Sequence, residues 1–303
     1  MTTPTLRVLS LGAGVQSTAL ALMACRGELP GLDGAIFADT GWEPAAVYAQ
    51  VDRLAVELGR AGIPLYRVSN GNVRADSLDP VHRFVSVPYF TQSPDGSKGM
   101  ARRQCTSEYK LTPINRKVRE LLGAKAPKFR TVPKGRVAEQ WIGFSTDEVY
   151  RVNDRRENRY TIKRYPLLEL GMSRKDCERW LKVLGWGHTA KSACIGCPFH
   201  GNAYWRDMRE HRPQEWADAC EFDRRIRKGG ASAPPLNGEA FLHPARVPLA
   251  VAPIDRVTRN EWADRQLDIF DELAEQGDLD GCSPYGCRSG APTLPSTTEG
   301  VAA

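Results

Sequence analysis

Two cysteines, Cys194 and Cys197, stand at Cys-x-x-Cys spacing and are followed by Pro198. Thiolates so spaced can share one metal ion or cluster, or act as a redox dithiol. A further thiol, Cys105, lies beside Arg102, Arg103 and Lys110, and cations so close in sequence are expected to favour a thiolate. Cys282 and Cys287 close the chain ahead of a Ser/Thr/Pro/Gly/Ala-rich tail over 288–303, which reads as disordered. Cys25, Cys177 and Cys220 instead fall on apolar helical faces and read as buried, inert thiols. The expectation is that Cys105, Cys194, Cys197 and Cys287, with Cys282 in reserve, converge on one site. Zinc, an iron–sulfur cluster and a metal-free dithiol are all compatible with that set. His188 and His200 bracket the Cys-x-x-Cys, where a lone histidine is more often a surface or outer-shell residue.

A second constellation is Ser10-Leu11-Gly12-Ala13-Gly14-Val15-Gln16-Ser17-Thr18. Between a strand and a helix, such a segment can offer backbone N–H groups and a helix N-terminus to a phosphate. The hydroxyls of Ser10, Ser17 and Thr18 add donors. It is neither a Walker P-loop, which needs Gly-Lys-Ser/Thr, nor a full dinucleotide fingerprint, since Ser17 stands at the third glycine. Asp39-Thr40-Gly41-Trp42-Glu43 follows the next strand, and polar groups at the ends of adjacent parallel strands are where such sheets bind ligands.

The elements that must position these groups are legible. Val8–Leu11, Gly34–Ala38 and Pro64–Val68 read as strands, separated by helices over about 15–26 and 44–60. This alternation predicts a parallel sheet with helices on both faces. Residues 70–104 carry Gly and Pro throughout and read as a lid loop. Thr112 reads as an N-cap with Pro113 at the first helical position, Val137–Phe144 reads as a strand, and helices follow over about 173–184 and 213–228. Thr258 and Glu261 form a capping box for a last helix to about 276. The expected organisation is an α/β domain over 1–170, a helical cysteine-bearing region over 171–287 packed on it, and the tail.

These residues carry a family resemblance. Ser10–Ser17 resembles the PP-loop of the ATP pyrophosphatase superfamily, and Phe37-Ala38-Asp39-Thr40-Gly41 is similar to the second-strand motif of phosphoadenosine phosphosulfate (PAPS) reductases. Three more blocks resemble bacterial and phage PAPS reductase-like proteins: Arg103-Gln104-Cys105-Thr106 with Tyr109–Ile114, Ile142-Gly143-Phe144 with Asp147, Glu148 and Arg151, and Lys191–Phe199. The chain departs from true PAPS reductases in having no Glu-Cys-Gly-hydrophobic-His tail. The wider family includes DNA phosphorothioation sulfurtransferases.

The resemblance implies ATP or a PAPS-type adenylyl nucleotide on the loop formed by Ser10, Gly12, Gly14, Val15, Gln16, Ser17 and Thr18. Asp39, Thr40, Gly41, Arg103 and Lys110 would bind it too, with Mg2+ near Asp39 or Glu43. It implies adenylation of a substrate with pyrophosphate release, then sulfur transfer through cysteines or a [4Fe–4S] cluster, with Zn2+ as the alternative metal. Cys105, Cys287 and Asp39 are the catalytic candidates. A PAPS or adenylylsulfate reductase and a zinc-stapled nucleic-acid-binding protein are the rival readings. The second would use the basic strip Arg151, Arg155, Arg156, Arg159, Lys163 and Arg164.

Composition bounds these readings. The chain has 303 residues, 42 Lys+Arg against 36 Asp+Glu, a net charge of +6 and 41% hydrophobic residues. No apolar run suits a membrane span and the N-terminus lacks the order of a signal peptide, so a cytoplasmic protein is expected. Expected partners are an adenine nucleotide, a sulfur-donor protein or thiol, and a nucleic-acid acceptor, with no membrane.

Overall fold

The helix α1 (Val15–Cys25) is apolar nearly all round, and a helix of that kind must be covered on every side. The computed structural model, which describes residues 4–82, 87–152, 158–229, 236–259 and 261–262, places it between a sheet and two other helices. The flanking strands are β1 (Leu6–Leu11) and β2 (Gly34–Asp39), followed by α2 (Ala45–Arg60) and β3 (Leu65–Ser69). A short α3 (Val73–Leu78) and a hairpin of β4 (Phe90–Gln92) and β5 (Lys98–Met100) come next. A π-helical turn over Thr106–Leu111 runs directly into α4 (Thr112–Leu121). Then come β6 (Ala138–Trp141), a 3-10 segment over Thr146–Arg151, β7 (Thr161–Arg164), α5 (Pro166–Glu169) and α6 (Arg174–Val183). The last elements are α7 (Asn202–His211), α8 (Pro213–Arg225) and β8 (Glu239–Phe241).

The main sheet is five-stranded and wholly parallel, in the order β3-β2-β1-β6-β7. Alternation along its strands feeds two cores. Leu9, Leu11, Ala35 and Phe37 face α1, with α2 and α6 behind, while Val8, Ile36 and Ala38 face Ile114 and Val118 of α4. The expected α/β fold with a parallel sheet covered on both faces is therefore present. Helix α2 shows why its residues form this layer: Val47, Val51, Leu54 and Leu58 recur at helical spacing and are buried. Cys177 is buried beside Leu181 on α6, and burial pushes its thiol up to about 12. Cys25 and Cys220, expected to be buried, are only half-buried; partial burial still raises Cys25 and carries Cys220 to about 11.

Three local expectations need correction. The 70–104 segment is not structureless: it holds α3 and the β4–β5 hairpin, which β8 joins as a small antiparallel sheet. The charged run before residue 165 contains an edge strand, β7, whose Arg164 is neutralised by Glu169 and Glu139. Arg151 is paired with Glu148, and Arg155 and Arg156 lie outside the described residues. Thr112 is not an N-cap: its backbone is helical, and its hydroxyl donates back to the Ser107 carbonyl at 2.9 Å. Helix α7 carries little sequence signal, because Trp205 and Met208 are its only buried residues among mostly charged ones.

The chain divides into two compact units. Among the described residues, one comprises those from 4 to 199 with 211–252 and contains the main sheet; the other comprises 200–210 with those between 253 and 262. Within the second unit His200 stacks on Tyr204 at 3.8 Å, Arg206 donates to the Ile254 carbonyl at 2.6 Å, and Arg209 pairs with Asp255 at 2.6 Å. Of the Thr258–Glu261 capping box, the Glu261 N–H donates to Thr258 Oγ1 at 3.3 Å, and the helix beyond Trp262 lies outside the described residues. Among the described residues no helix is long and apolar enough to cross a membrane.

Candidate functional site

Strand β1 is paired on both sides, so the chain leaving it at Gly12 emerges in the middle of the sheet's carboxyl edge. Ala13 sits there in the left-handed region, φ 57, and Gly14 is the extended residue before α1, where no side chain caps the helix. The first N–H groups of α1 thus have no side-chain acceptor, the condition in which a helix N-terminus attracts an anion. Ser10 Oγ accepts from Gln140 Nε2 at 2.6 Å, and Ser17 Oγ donates to the Gly14 carbonyl at 3.3 Å. Gln16 Nε2 reaches Glu148 Oε2 at 3.2 Å and Ser145 Oγ at 3.4 Å, tying α1 to the segment after β6. Gly143 explains its own residue type, because a Cβ there would lie 3.1 Å from the Ser17 nitrogen. Thr18 is fully buried and its hydroxyl accepts from Gln50 Nε2 at 3.0 Å, so it serves the framework of the loop.

The Lys191–Phe199 segment lies over this loop. Cβ atoms built on Gly12 and Gly14 would meet Ser192 Oγ at 3.7 Å and Ser192 Cβ at 3.5 Å. One buried side chain that sequence reasoning missed joins the two pieces. Gln50 on α2 donates to the Ala13 carbonyl at 2.7 Å and accepts the Ala190 N–H at 2.7 Å. A glutamine in an apolar helical stripe was the only signal available for it.

The turn after β2 supplies the floor. Asp39 Oδ1 accepts from the Gly41 N–H at 2.7 Å and the Tyr48 hydroxyl at 2.8 Å, and burial followed by that bond raises the Tyr48 phenol. Gly41 takes φ +73, and a Cβ there would lie 2.9 Å from Asn72 Nδ2. Thr40 donates to Glu43 Oε1 at 3.0 Å and lies 3.2 Å from Cys194 Sγ. Lys110 Nζ, from the π-helical turn, stands 3.8 Å from Glu43. Burial works against the lysine charge, but Glu43 and the neighbouring cysteine sulfurs outweigh it and raise Lys110 above an ordinary lysine. Glu43 is buried, and its Oε2 has no hydrogen-bond partner. Of the two carboxylates expected near Mg2+, Asp39 is engaged in shaping its turn, while Glu43 holds an unused oxygen.

Cys105, Cys194 and Cys197 line one cavity of about 100 Å3 together with Arg103, Lys110 and Ser192. Cys105 opens the helix that becomes the π turn, which places it on the same cavity as the Cys-x-x-Cys segment. Burial, then the Glu43 charge, pushes the Cys194 thiol well above its ordinary range, and burial also raises Cys197. Both shifts favour the protonated thiol. Arg103 stacks over Phe199 at 5.2 Å. The six described cysteines are free thiols, and among the described residues no three His, Cys, Asp or Glu side chains are grouped to hold a metal ion. Cys282 and Cys287 lie outside the described residues. His243 is buried, with Nδ1 accepting the Ala245 N–H at 3.1 Å, which makes it a turn-forming group.

No protein-family model matches this chain, and no curated protein matches it.

Proposed function

We propose that the chain binds ATP or a related adenylyl nucleotide at the carboxyl edge of its sheet, activates a substrate by adenylation and transfers sulfur to it. The observation carrying this reading is the convergence of the glycine loop, the Thr40–Glu43 turn, Lys110 and three thiols around one edge. The resemblance of the same segments to PAPS reductase-like PP-loop proteins supports the nucleotide assignment. Backbone amides of Gly12, Gly14 and Val15, with Ser10 and Ser17, would hold the β- and γ-phosphates; Lys110 and Arg103 would meet charge from the opposite side.

In the first step a substrate oxygen attacks the α-phosphorus. The bond from that phosphorus to the bridging oxygen breaks, and pyrophosphate leaves with the electron pair. In the second, a sulfur nucleophile bonds to the activated atom and AMP departs with the pair from the breaking bond. Cys105, Cys194 and Cys197 line one cavity without being grouped around a single ion point as placed; soft donors of this kind suit a [4Fe–4S] cluster or Zn2+, which would need them to draw together with Cys282 or Cys287 as the remaining ligand. Such a group would keep Cys194 and Cys197 ionised against the burial that raises them, and a cluster would also carry sulfur or electrons. Glu43, with its unpartnered oxygen, is the residue for Mg2+. The free thiols suit a reducing, cytoplasmic setting, with a sulfur-donor protein or thiol and a nucleic-acid acceptor as partners.

The test is product analysis. Purified protein with ATP, Mg2+, a thiol sulfur source and a mixture of nucleic acids and metabolites should release pyrophosphate and AMP and label the acceptor with sulfur. Cys194→Ala should abolish the sulfur label while pyrophosphate release persists. Sulfite release from PAPS without pyrophosphate release from ATP would replace this reading by the reductase one, for which Cys105 is the available attacking thiol.

A further inference from the structure

The strongest concentration of charge lies away from the candidate site. Between residues 116 and 136 the chain carries eight Lys and Arg and one acid, Glu120. Helix α4 starts at the carboxyl edge of the sheet and runs back toward its other edge, where the following loop enters β6. Lys125, Lys128 and Arg130, with Pro127 and Pro133, line an open hollow of about 540 Å3 on that loop. Lys125, Lys128, Arg130 and Lys134 are exposed, and none of them forms an ion pair among the described residues. This differs from the strip before residue 165, whose Arg151 and Arg164 are neutralised by acids.

The loop is held in shape from beneath. Arg119 Nε donates to the Phe129 carbonyl at 2.6 Å, and Arg119 Nη1 donates to the Tyr160 hydroxyl at 3.0 Å. Phe129 takes a left-handed backbone, φ 43, with Arg116 stacked 5.5 Å from its ring. Arg136 Nη1 reaches the Leu122 carbonyl at 3.4 Å. These contacts hold the backbone that carries Lys125, Lys128, Arg130 and Lys134, so the loop itself needs no ordering when an external anion meets those side chains. No large apolar side chain is exposed between residues 116 and 136, so the surface lacks the anchors of an interfacial membrane segment.

We infer that the 125–134 loop is a docking surface for the phosphate backbone of a nucleic-acid duplex, independent of the nucleotide site at the opposite edge. Four neutralised phosphates give a log–log salt slope of about −3.6, equivalent to a loss of about a hundredfold in affinity between about 50 and 200 mM salt. DNA and RNA share this chemistry, and the experiment separates them.

Fluorescence anisotropy of labelled DNA and RNA duplexes with the full chain should show binding to at least one with that slope. Combined Lys125→Glu, Lys128→Glu, Arg130→Glu and Lys134→Glu should weaken binding at least tenfold and flatten the slope. ATP affinity should stay unchanged. The corresponding four glutamine substitutions, which keep side-chain bulk without reversing charge, should lie between the two and guard against misfolding of the first variant. Unchanged affinity and slope in both variants would overturn the proposal. So would tighter binding to phosphatidylserine-containing vesicles than to either duplex.

Discussion

Gly14→Val should lower ATP affinity by about a hundredfold while leaving the fold intact. Gly14 has an extended backbone, φ −91 and ψ 178, which valine adopts without strain. A Cβ there sits at an ordinary 3.5 Å from Ser192 Cβ, but the added methyl groups extend into the space between the glycine loop and Ser192. That space is where phosphates must approach the backbone amides. Losing two charge-assisted hydrogen bonds of about 1.5 kcal/mol each costs about 3 kcal/mol, or roughly a hundredfold. Titration calorimetry with ATP measures it, and unchanged affinity in a folded variant would remove the nucleotide from this loop.

Gly196→Ala should have the largest effect on stability among changes to the cysteine segment. A Cβ at Gly196 would lie 2.1 Å from the Trp42 ring, with two further ring atoms within 3 Å. Trp42 cannot swing aside, because its Nε1 donates to Asp218 at 2.6 Å and its ring packs 4.5 Å from that of Phe222. The Ile195 N–H also donates to the Trp42 carbonyl at 2.9 Å, so the whole Cys-x-x-Cys turn must lift. Overpacking of this kind costs about 1–3 kcal/mol, a fall in Tm of roughly 2–10 °C. Faster labelling of Cys194 by a thiol reagent should accompany the loss. A variant with wild-type Tm and unchanged labelling would mean that Trp42 does not seat the segment.

What was legible in the sequence was local. Strand–glycine–helix order announces a loop at a sheet edge, and period-two and period-3.6 apolar patterns set β1, β2, α1 and α2 close to their observed bounds. Of the three cysteines assigned to apolar helical faces only Cys177 is buried, because a helical stripe read from sequence does not say how completely a neighbour covers it; Cys25 and Cys220 are half-buried, like Cys105, Cys194 and Cys197. The rest depends on contacts between distant segments. Nothing near Gly196 says that Trp42 lies beneath it, and nothing near Gln50 says that it clamps Ala13 to Ala190. Strand β7 hid in a charged run because an edge strand with its cations paired along the sheet needs little apolar surface. The hairpin of β4 and β5 reads as loop because β8, from a part of the chain far downstream, completes its sheet. The basic loop after α4 escaped notice because its charges are spread among prolines and glycines, and only folding shows that they lack partners.

The central claim, a nucleotide on the carboxyl edge, is tested most directly by amide hydrogen exchange with and without ATP and Mg2+. Peptides covering residues 10–18 should gain the strongest protection, with smaller gains over 103–111 and 191–199, the segments carrying Lys110 and Ser192. Protection confined to other segments, or none at saturating ATP, would contradict the account.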